Sequence, residues 1–371
     1  MDWTVWLEIT IKGAILCFIL LGGFAYLTWY ERRALARMQV RVGPNRAGPQ
    51  GLLQPIADAV KLIFKEEYTP PHVYKVVFVI APVLTVVSSL ILAAVIPLGT
   101  SFNLFGREIW LYVSNINVGI LYVMSIASVA VYGIVLAGWS SNNKYAMLGG
   151  IRSSAQMVSY ELALGLCFTI AILLGNSMNL IDIVNAQRGL WFVVVQPVGA
   201  LIFWIATLAE VNRAPFDMPE AEQELTAGFH SEYSGMKFAL FFMAEYQKMI
   251  VVSMLLATLF FGGYLGPWVD QYPLLGPVYL FAKVIILLFG MIWVRATWPR
   301  IRYDRLMSFG WKILIPLTLA LAFITATGIL LAQELNNQIY FWSIPVLSII
   351  SLLIATAVVY HDLRRKAHGR I

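Results

Sequence analysis

The chain has 371 residues, 60% of them hydrophobic and 12% charged, with a mean hydropathy of +0.75. Those values lie far outside the range of soluble domains. The net charge of +6 follows membrane topology and is not a nucleic-acid footprint, and two cysteines are too few for an iron–sulfur cluster, which takes about four ligands.

A spanning helix needs about 20 apolar residues. Nine stretches qualify, over roughly 5–30, 76–98, 117–139, 155–175, 191–210, 238–264, 276–297, 312–333 and 341–360. Backbone groups in lipid must be satisfied within their own segment, which predicts helices, and the alternation of an outer-membrane barrel is absent. The expected fold is all-α: one polytopic membrane domain over 1–371 with about nine transmembrane helices plus an amphipathic interfacial helix. The flank of the first stretch carries Asp2 and Glu8, Lys12 lies inside it, and the first basic cluster, Arg32-Arg33, comes only after it. A signal peptide has its positive flank first. A retained anchor with an external N-terminus is therefore expected.

Of the 26 Lys and Arg residues, 21 fall in segments 31–75, 140–154, 211–237, 295–312 and the tail after 360. A nine-span topology puts all of these on one side. The opposite loops hold only Arg107 and Arg188. The positive-inside bias predicts long cytoplasmic loops at 31–75, 140–154, 211–237 and 298–311, and a cytoplasmic C-terminus.

The first of these loops opens with "VGPNRAGPQG", a turn-rich connector that matches neither phosphate-binding glycine motif. It continues as "LLQPIADAVKLIFKEE", 52–67. Apolar residues recur there at Leu52, Ile56, Ala59, Val60, Ile63 and Phe64, while Asp58, Lys61 and Lys65 fall opposite. This predicts a helix lying at the membrane interface, with packing on a partner's surface as the alternative.

Charges inside membrane helices are costly and usually face a cavity or a partner. Glu161 lies about two turns into the fourth stretch and Glu245 roughly 10 Å down the sixth. Glu210 ends the fifth stretch and Arg295 the seventh. Lys248, three residues after Glu245, is its structural alternative partner, whereas Glu161 has no local cation in register. The window "AEVNRAPFDMPEAEQEL", 209–225, concentrates Glu210, Asp217, Glu220, Glu222 and Glu224 in a chain with only 20 acidic residues. Pro215 and Pro219 stop a regular helix there. Carboxylates held this close repel one another, so some pKa values should rise towards neutrality. A solvated acidic loop is the bland alternative.

The residues alone thus indicate a string of titratable carboxylates running from a basic-side loop into the bilayer. No metal-ligand spacing, nucleotide loop or nucleophile–base pattern accompanies it. That fits a proton-handling or quinone-contacting membrane subunit that depends on partners.

Four segments carry a specific resemblance: "WYERRALARMQVRVGPNRAGPQGLLQPIADAVKLIFKE" (29–66), "GWSSNNKYAMLGGIRSSAQMVSYE" (138–161), "LAEVNRAPFDMPEAEQELTAGFHSEYSGMKFALFFMAEY" (208–246) and "RATWPRIRYDRLM" (295–307). They resemble the H subunit of bacterial proton-pumping NADH:quinone oxidoreductase (respiratory complex I), the counterpart of mitochondrial NADH dehydrogenase subunit 1. The resemblance implies a membrane protein that forms much of a quinone chamber and docks the hydrophilic arm onto the membrane arm. It places Glu31, Arg32, Arg33, Arg41, Asp58 and Arg295 at the chamber. It places Glu161, Glu210, Glu220, Glu222, Glu224 and Glu245 on an acidic path towards the antiporter-like subunits. It further implies quinone (ubiquinone or menaquinone) as substrate, with FMN and iron–sulfur clusters in partner subunits and no metal, redox centre or cofactor held by this chain. The implied location is a bacterial plasma membrane, with hydrophilic-arm, small membrane and antiporter-like subunits as partners. A related subunit of an energy-converting hydrogenase or another ferredoxin- or coenzyme-linked dehydrogenase, a stand-alone cation/proton antiporter and a purely structural anchor are the competing readings.

Overall fold

The computed structural model describes residues 3–104, 107–218 and 226–368. It is helical apart from one two-stranded hairpin. The helices are α1 Trp3–Met38, α2 Gln54–Phe64, α3 Lys75–Leu92, α4 Gly119–Ser140, α5 Lys144–Gly175, α6 Leu180–Ala186, α7 Phe192–Val195, α8 Pro197–Glu210, α9 Gly235–Phe260, α10 Leu275–Thr297, α11 Tyr303–Phe309, α12 Ile315–Glu334 and α13 Gln338–His368. A π-helical turn, Gly310–Leu314, joins α11 to α12.

Among the described residues, eight helical stretches are long and apolar enough to cross a membrane. The remaining expected span, 191–210, is broken into α7 and the 14-residue α8. Pro197 supplies no N–H to the turn before it, and Gln196 leaves helical geometry at φ −132 and ψ 68. The Gln196 amide is not wasted: its Nε2 donates to Thr325 Oγ1 of α12 at 2.7 Å. Helix α5 starts at Lys144, so most of segment 140–154 is helix capped by the Asn143 side chain.

Helix α9 lies at the centre: 67% of its most apolar window is buried, against 11% for α1 and α13 at the perimeter. Helices α3, α4 and α5 pack in succession, and α9 touches α1, α3, α8 and α10. Helix α1 has 36 residues and is therefore about 54 Å long, well beyond the ~30 Å hydrocarbon core. Its uncharged stretch runs between Lys12 and Glu31. Lys12 pairs with Glu8 one turn earlier.

Composition gave no reason to expect the hairpin in the 98–116 loop. Strands β1 Ser101–Leu104 and β2 Arg107–Trp110 pair antiparallel, with Phe102 opposite Ile109. Near the same end of the bundle, Lys283 of α10 fastens the chain that leaves α9. Its ammonium donates to the carbonyls of Phe261, Gly263 and Leu265 at 2.7–2.8 Å and lies 4.6 Å over the Trp191 ring. All three of its donors are thereby used. Gly262 takes φ +71 beneath that indole, where a Cβ would fall 2.9 Å from Trp191 Nε1. Lys283→Met is expected to lower stability by about 2 kcal/mol, because the carbonyls lose a charged donor. The thermal unfolding midpoint of purified protein, with quinone turnover measured well below it, checks this; an unchanged midpoint would mean that water serves the carbonyls equally well.

Candidate functional site

The predicted residues gather in two places. The first is the basic end of α1. Glu31 is buried, with its side chain 4% exposed, and pairs with Arg295 from the last turn of α10. Arg32 Nη1 donates to Asp58 Oδ2 on α2 at 2.6 Å, and Gln54 Nε2 donates to Asp58 Oδ1 at 3.2 Å. Arg33 and Trp29 both donate to Gln50 O, at 3.0 and 3.2 Å. These contacts seat the turn before α2 on α1. Gly51 makes the turn possible: it has φ +76, and a Cβ there would lie 2.3 Å from Pro44 O. Arg41 stands apart, exposed, donating to Gln39 Oε1 at 2.7 Å. Helix α2 has the expected amphipathic form. Ile56, Val60, Ile63 and Phe64 are all exposed, so nothing in the described chain covers its apolar face. An apolar crevice of about 360 Å³ opens between α1, α9 and α10, and its wall includes Trp29 and Tyr30, just before Glu31.

The second group lies inside the bundle. The turn after α8 is built by Asn212, in the left-handed region at φ 53, and by backbone bonds from Arg213 N to Leu208 O and from Phe216 N to Arg213 O. Gln156 of α5 is fully buried and clamps this turn. Its Nε2 reaches Ala209 O at 2.8 Å, Phe216 O at 2.9 Å and Asn212 Oδ1 at 3.1 Å. Asn212 Nδ2 in turn donates to Ser153 Oγ at 3.2 Å. Asp217 meets Arg300 at 2.8 Å. Burial pushes the Asp217 carboxyl above the usual carboxylate range, while Arg300 and then Arg213 oppose the rise.

Three predicted carboxylates meet in this interior, each with a different partner. Glu161 of α5 accepts from Ser128 Oγ of α4. Glu210, at the C-terminus of α8, pairs with Lys248 of α9 at 3.0 Å. Glu245 of α9 faces Arg213 at 3.7 Å, and that guanidinium lies 4.2 Å over the Tyr246 ring. The sequence alternative, an intrahelical pair of Glu245 with Lys248, is therefore replaced: the lysine reaches across to α8 instead. A cavity of about 50 Å³ is lined by Glu210, Glu245 and Lys248, together with Ser88 and Ser89 of α3. A second, of about 20 Å³, is lined by Glu161 and Glu210. Glu210 thus borders both. Most of each wall is apolar, but both cavities are roomy enough for a water, and Glu210, with Lys248 or Glu161, offers it polar partners.

Glu220, Glu222 and Glu224 lie outside the described residues. Just beyond them, His230 packs between the rings of Phe229 and Phe238, and burial lowers its pKa to about 4. It is neutral at physiological pH. Gln156, Ser128, Arg213 and Lys248 were not selected from sequence as site residues. The available signal was their polarity within or beside apolar stretches; what they touch depends on helix packing. Among the described residues, no group of three or more His, Cys, Asp or Glu is arranged to hold a metal ion.

The sequence matches the NADH dehydrogenase family over residues 11–326. The chain belongs to the family of NADH-quinone oxidoreductase H subunits. It is 50% identical to the NADH-quinone oxidoreductase H subunit of Thermomicrobium roseum over 329 residues, covering 86% of this chain and 95% of that one. It is 49% identical to the second NADH-quinone oxidoreductase H subunit of Syntrophobacter fumaroxidans, covering 89% and 98%. With the Deinococcus radiodurans H subunit the identity is 45%, covering 96% and 92%. Membership of this family and the long apolar helices make the chain a multi-pass membrane component of an oxidoreductase complex, with other subunits of that complex as partners. The family match selects this reading over a hydrogenase-type subunit or a free-standing antiporter.

Proposed function

We propose that this H subunit forms one wall of the quinone chamber at the basic end of α1 and couples quinone reduction to proton translocation through its buried carboxylates. The basic end faces the cytoplasm, where it docks the hydrophilic arm, and the N-terminus lies outside. FMN and iron–sulfur clusters belong to the hydrophilic-arm partners. The apolar crevice between α1, α9 and α10 suits an isoprenoid tail arriving from the bilayer. Asp58 and Arg32 tie α2 to the crevice wall, and Arg295 with Glu31 supplies charge where a reduced quinone gathers it.

The observation that carries the coupling is the order Glu161, Glu210, Glu245 along two cavities that share Glu210. Glu161 has a hydroxyl partner, so it can exchange a proton without stranding a buried cation. A charge change near the chamber reaches such a string by electrostatics, which act strongly where water is scarce. From Glu245 the disturbance passes towards the antiporter-like subunits. Glu220, Glu222 and Glu224 extend the string towards the chamber.

The test is Glu161→Gln and Glu245→Gln in the assembled complex in membrane vesicles, with quinone reduction and proton pumping measured side by side. Ferricyanide reduction, handled by the flavin-bearing partners, reports integrity of the rest of the complex. Glutamine preserves size and removes the titration. We expect each variant to lose pumping and quinone turnover by at least about tenfold, a lower bound on the roughly 10²–10⁴-fold that a proton-transferring side chain contributes, with ferricyanide reduction retained. Parental pumping in both variants would reduce the carboxylates to packing.

A further inference from the structure

Helix α1 ends against a local rule. Val40 N donates to Arg37 O at 3.2 Å, and Arg41 N reaches back five residues to Ala36 O at 2.9 Å. This closing pattern puts the residue just past the helix in the left-handed region, a place that glycine usually takes and asparagine sometimes does. Val40 occupies it, at φ 55. There its Cβ crowds the following carbonyl oxygen, and the branch leaves little freedom to escape. Elsewhere the chain observes the rule. Asn176 closes α5 in the same region, and Asn142, Asn212 and Asn336 take φ between 47 and 53 at other turns.

Packing within this chain does not offset the crowding at Val40. Its side chain is 95% exposed, and Val42, two residues on, is 80% exposed. The backbone between α1 and the next turn is nonetheless held close. A Cβ on Gly43 would stand 3.2 Å from both Ala36 Cβ and Arg33 Cα, and Ala36 is fully buried. The two valines are therefore projected outward from a turn that is itself seated on α1. The hydrocarbon does not reach them. The uncharged stretch of α1 ends at Glu31, Arg32, Arg33 and Arg37 follow it, and Met38 lies about 10 Å farther along the helix. Arg41, between the valines, is exposed as well. A protein surface on the aqueous side suits two apolar side chains flanking a guanidinium. A residue that breaks a local rule without packing in its own fold is expected where a partner uses it.

We propose that Val40 and Val42 form an apolar anchor for a soluble-side subunit of the complex, which seats them in an apolar recess and sets a carboxylate against Arg41. This rests on the reading above that the basic end of α1 faces the cytoplasm and docks the hydrophilic arm, and it names the contact. The partner uses a side chain at a position where the fold alone would favour glycine.

The first experiment compares membranes carrying the assembled complex with Val40→Gly, Val40→Asn and Val40→Leu. The amount of this chain in the membrane is measured, together with the half-time for ferricyanide-reducing activity, which travels with the flavin-bearing partners, to leave the membrane in a salt wash. Glycine and asparagine suit the left-handed turn, so this chain should stay at its parental level. Loss of the buried apolar contact should shorten the half-time by about tenfold, since such losses act mainly on dissociation. Leucine keeps the apolar body and should stay close to the parent. A valine that serves only its own fold predicts the opposite ranking, because glycine and asparagine relieve the crowding and leave the arm attached as before. That ranking, a leucine variant that releases the arm as fast as asparagine, or a Val40→Gly chain missing from the membrane overturns the proposal.

The second experiment separates the anchor from the orientation. Val40→Cys is treated with a membrane-impermeant maleimide in sealed inside-out and right-side-out vesicles, with the arm attached and after a salt wash has removed it. Labelling is read on this chain against the parent, which holds only Cys17 and Cys167. The expected result is labelling in inside-out vesicles only after the arm is removed. Equal labelling there in both states overturns the anchor and leaves the orientation standing. Labelling only in right-side-out vesicles overturns the orientation and the anchor with it. No labelling in any preparation means that another surface covers Val40, and the proposal falls.

Discussion

Arg295→Met is expected to destabilise the folded protein by about 2–3 kcal/mol: stripping one partner from a fully buried ion pair costs about 3–5 kcal/mol, and the 35% exposure of the Arg295 side chain lowers that. Methionine keeps most of the bulk, so the loss comes from charge. Glu31 is 4% exposed, and among the described residues its Oε2 has no hydrogen-bond partner. Without the guanidinium, the carboxylate keeps neither a counter-charge nor an adequate hydrogen-bond set. The double variant Glu31→Gln/Arg295→Met should recover most of the stability. The measurements are the thermal midpoint of the purified complex and the KM for quinone in whatever fraction assembles. A parental midpoint in the single variant would show that Glu31 is solvated in the complex. The contrast with Arg32 and Asp58 lies mainly in the acid: Glu31 is buried, whereas Asp58 is 25% exposed and its Arg32 49%, and a pair exposed on both sides contributes about 0–1 kcal/mol.

Gln156→Leu should cost about 3 kcal/mol, because removing one amide leaves several buried acceptors without a donor at about 1–3 kcal/mol each. Two N–H groups of Gln156 serve Ala209 O, Phe216 O and Asn212 Oδ1. Leucine is close in volume, so no large cavity opens, and the loss isolates hydrogen bonding from packing. The acceptors belong to the turn that carries Arg213 and leads to Asp217. Loosening it should move Arg213 off Glu245, so quinone turnover should fall together with the thermal midpoint. Gln156→Glu offers a comparison of similar shape with a donor removed and a charge added. A Gln156→Leu complex of parental stability and turnover would show that the turn holds its form through Asn212, Asp217 and Arg300 alone.

The apolar runs were legible because a spanning segment must satisfy its own backbone, and about 20 residues of Val, Ile, Leu and Phe leave no other solution. The amphipathic α2 was legible from its periodicity, and its exposed Ile56, Val60 and Phe64 bear that periodicity out. Other features were less visible. Pro197 could be read as an ordinary first residue of a helix, and the Gln196–Thr325 bond, which gives the amide beside the break a partner, depends on how α12 packs. Lys248 had a plausible partner one turn away in sequence, but the contact it makes lies on another helix and depends on how α8 and α9 pack. The β1–β2 hairpin is two four-residue strands in a polar loop, too short for a pattern. The chamber roles of the site residues came through family resemblance; the residues alone singled out Glu161, Glu210, Glu245, Arg295 and the acidic window, and indicated a proton-handling string without a direction.

Helix α1 also responds to the membrane it sits in. Lys12 and Glu31 are nineteen helical steps apart, with eighteen residues between them, a rise of about 28 Å, close to the hydrocarbon thickness of a thin bilayer. The two ends are not equally free. Glu31 is tied to Arg295 on another helix, whereas among the described residues Lys12 pairs with Glu8 on its own helix, and a lysine stem can snorkel towards water. When the bilayer thickens, the adjustment therefore falls on the Lys12 end, by tilt and by stretching of that side chain. The Glu31–Arg295 tie fixes that end of α1 to α10, so the two helices must shift together there, whereas the Lys12 end is left to follow the lipid.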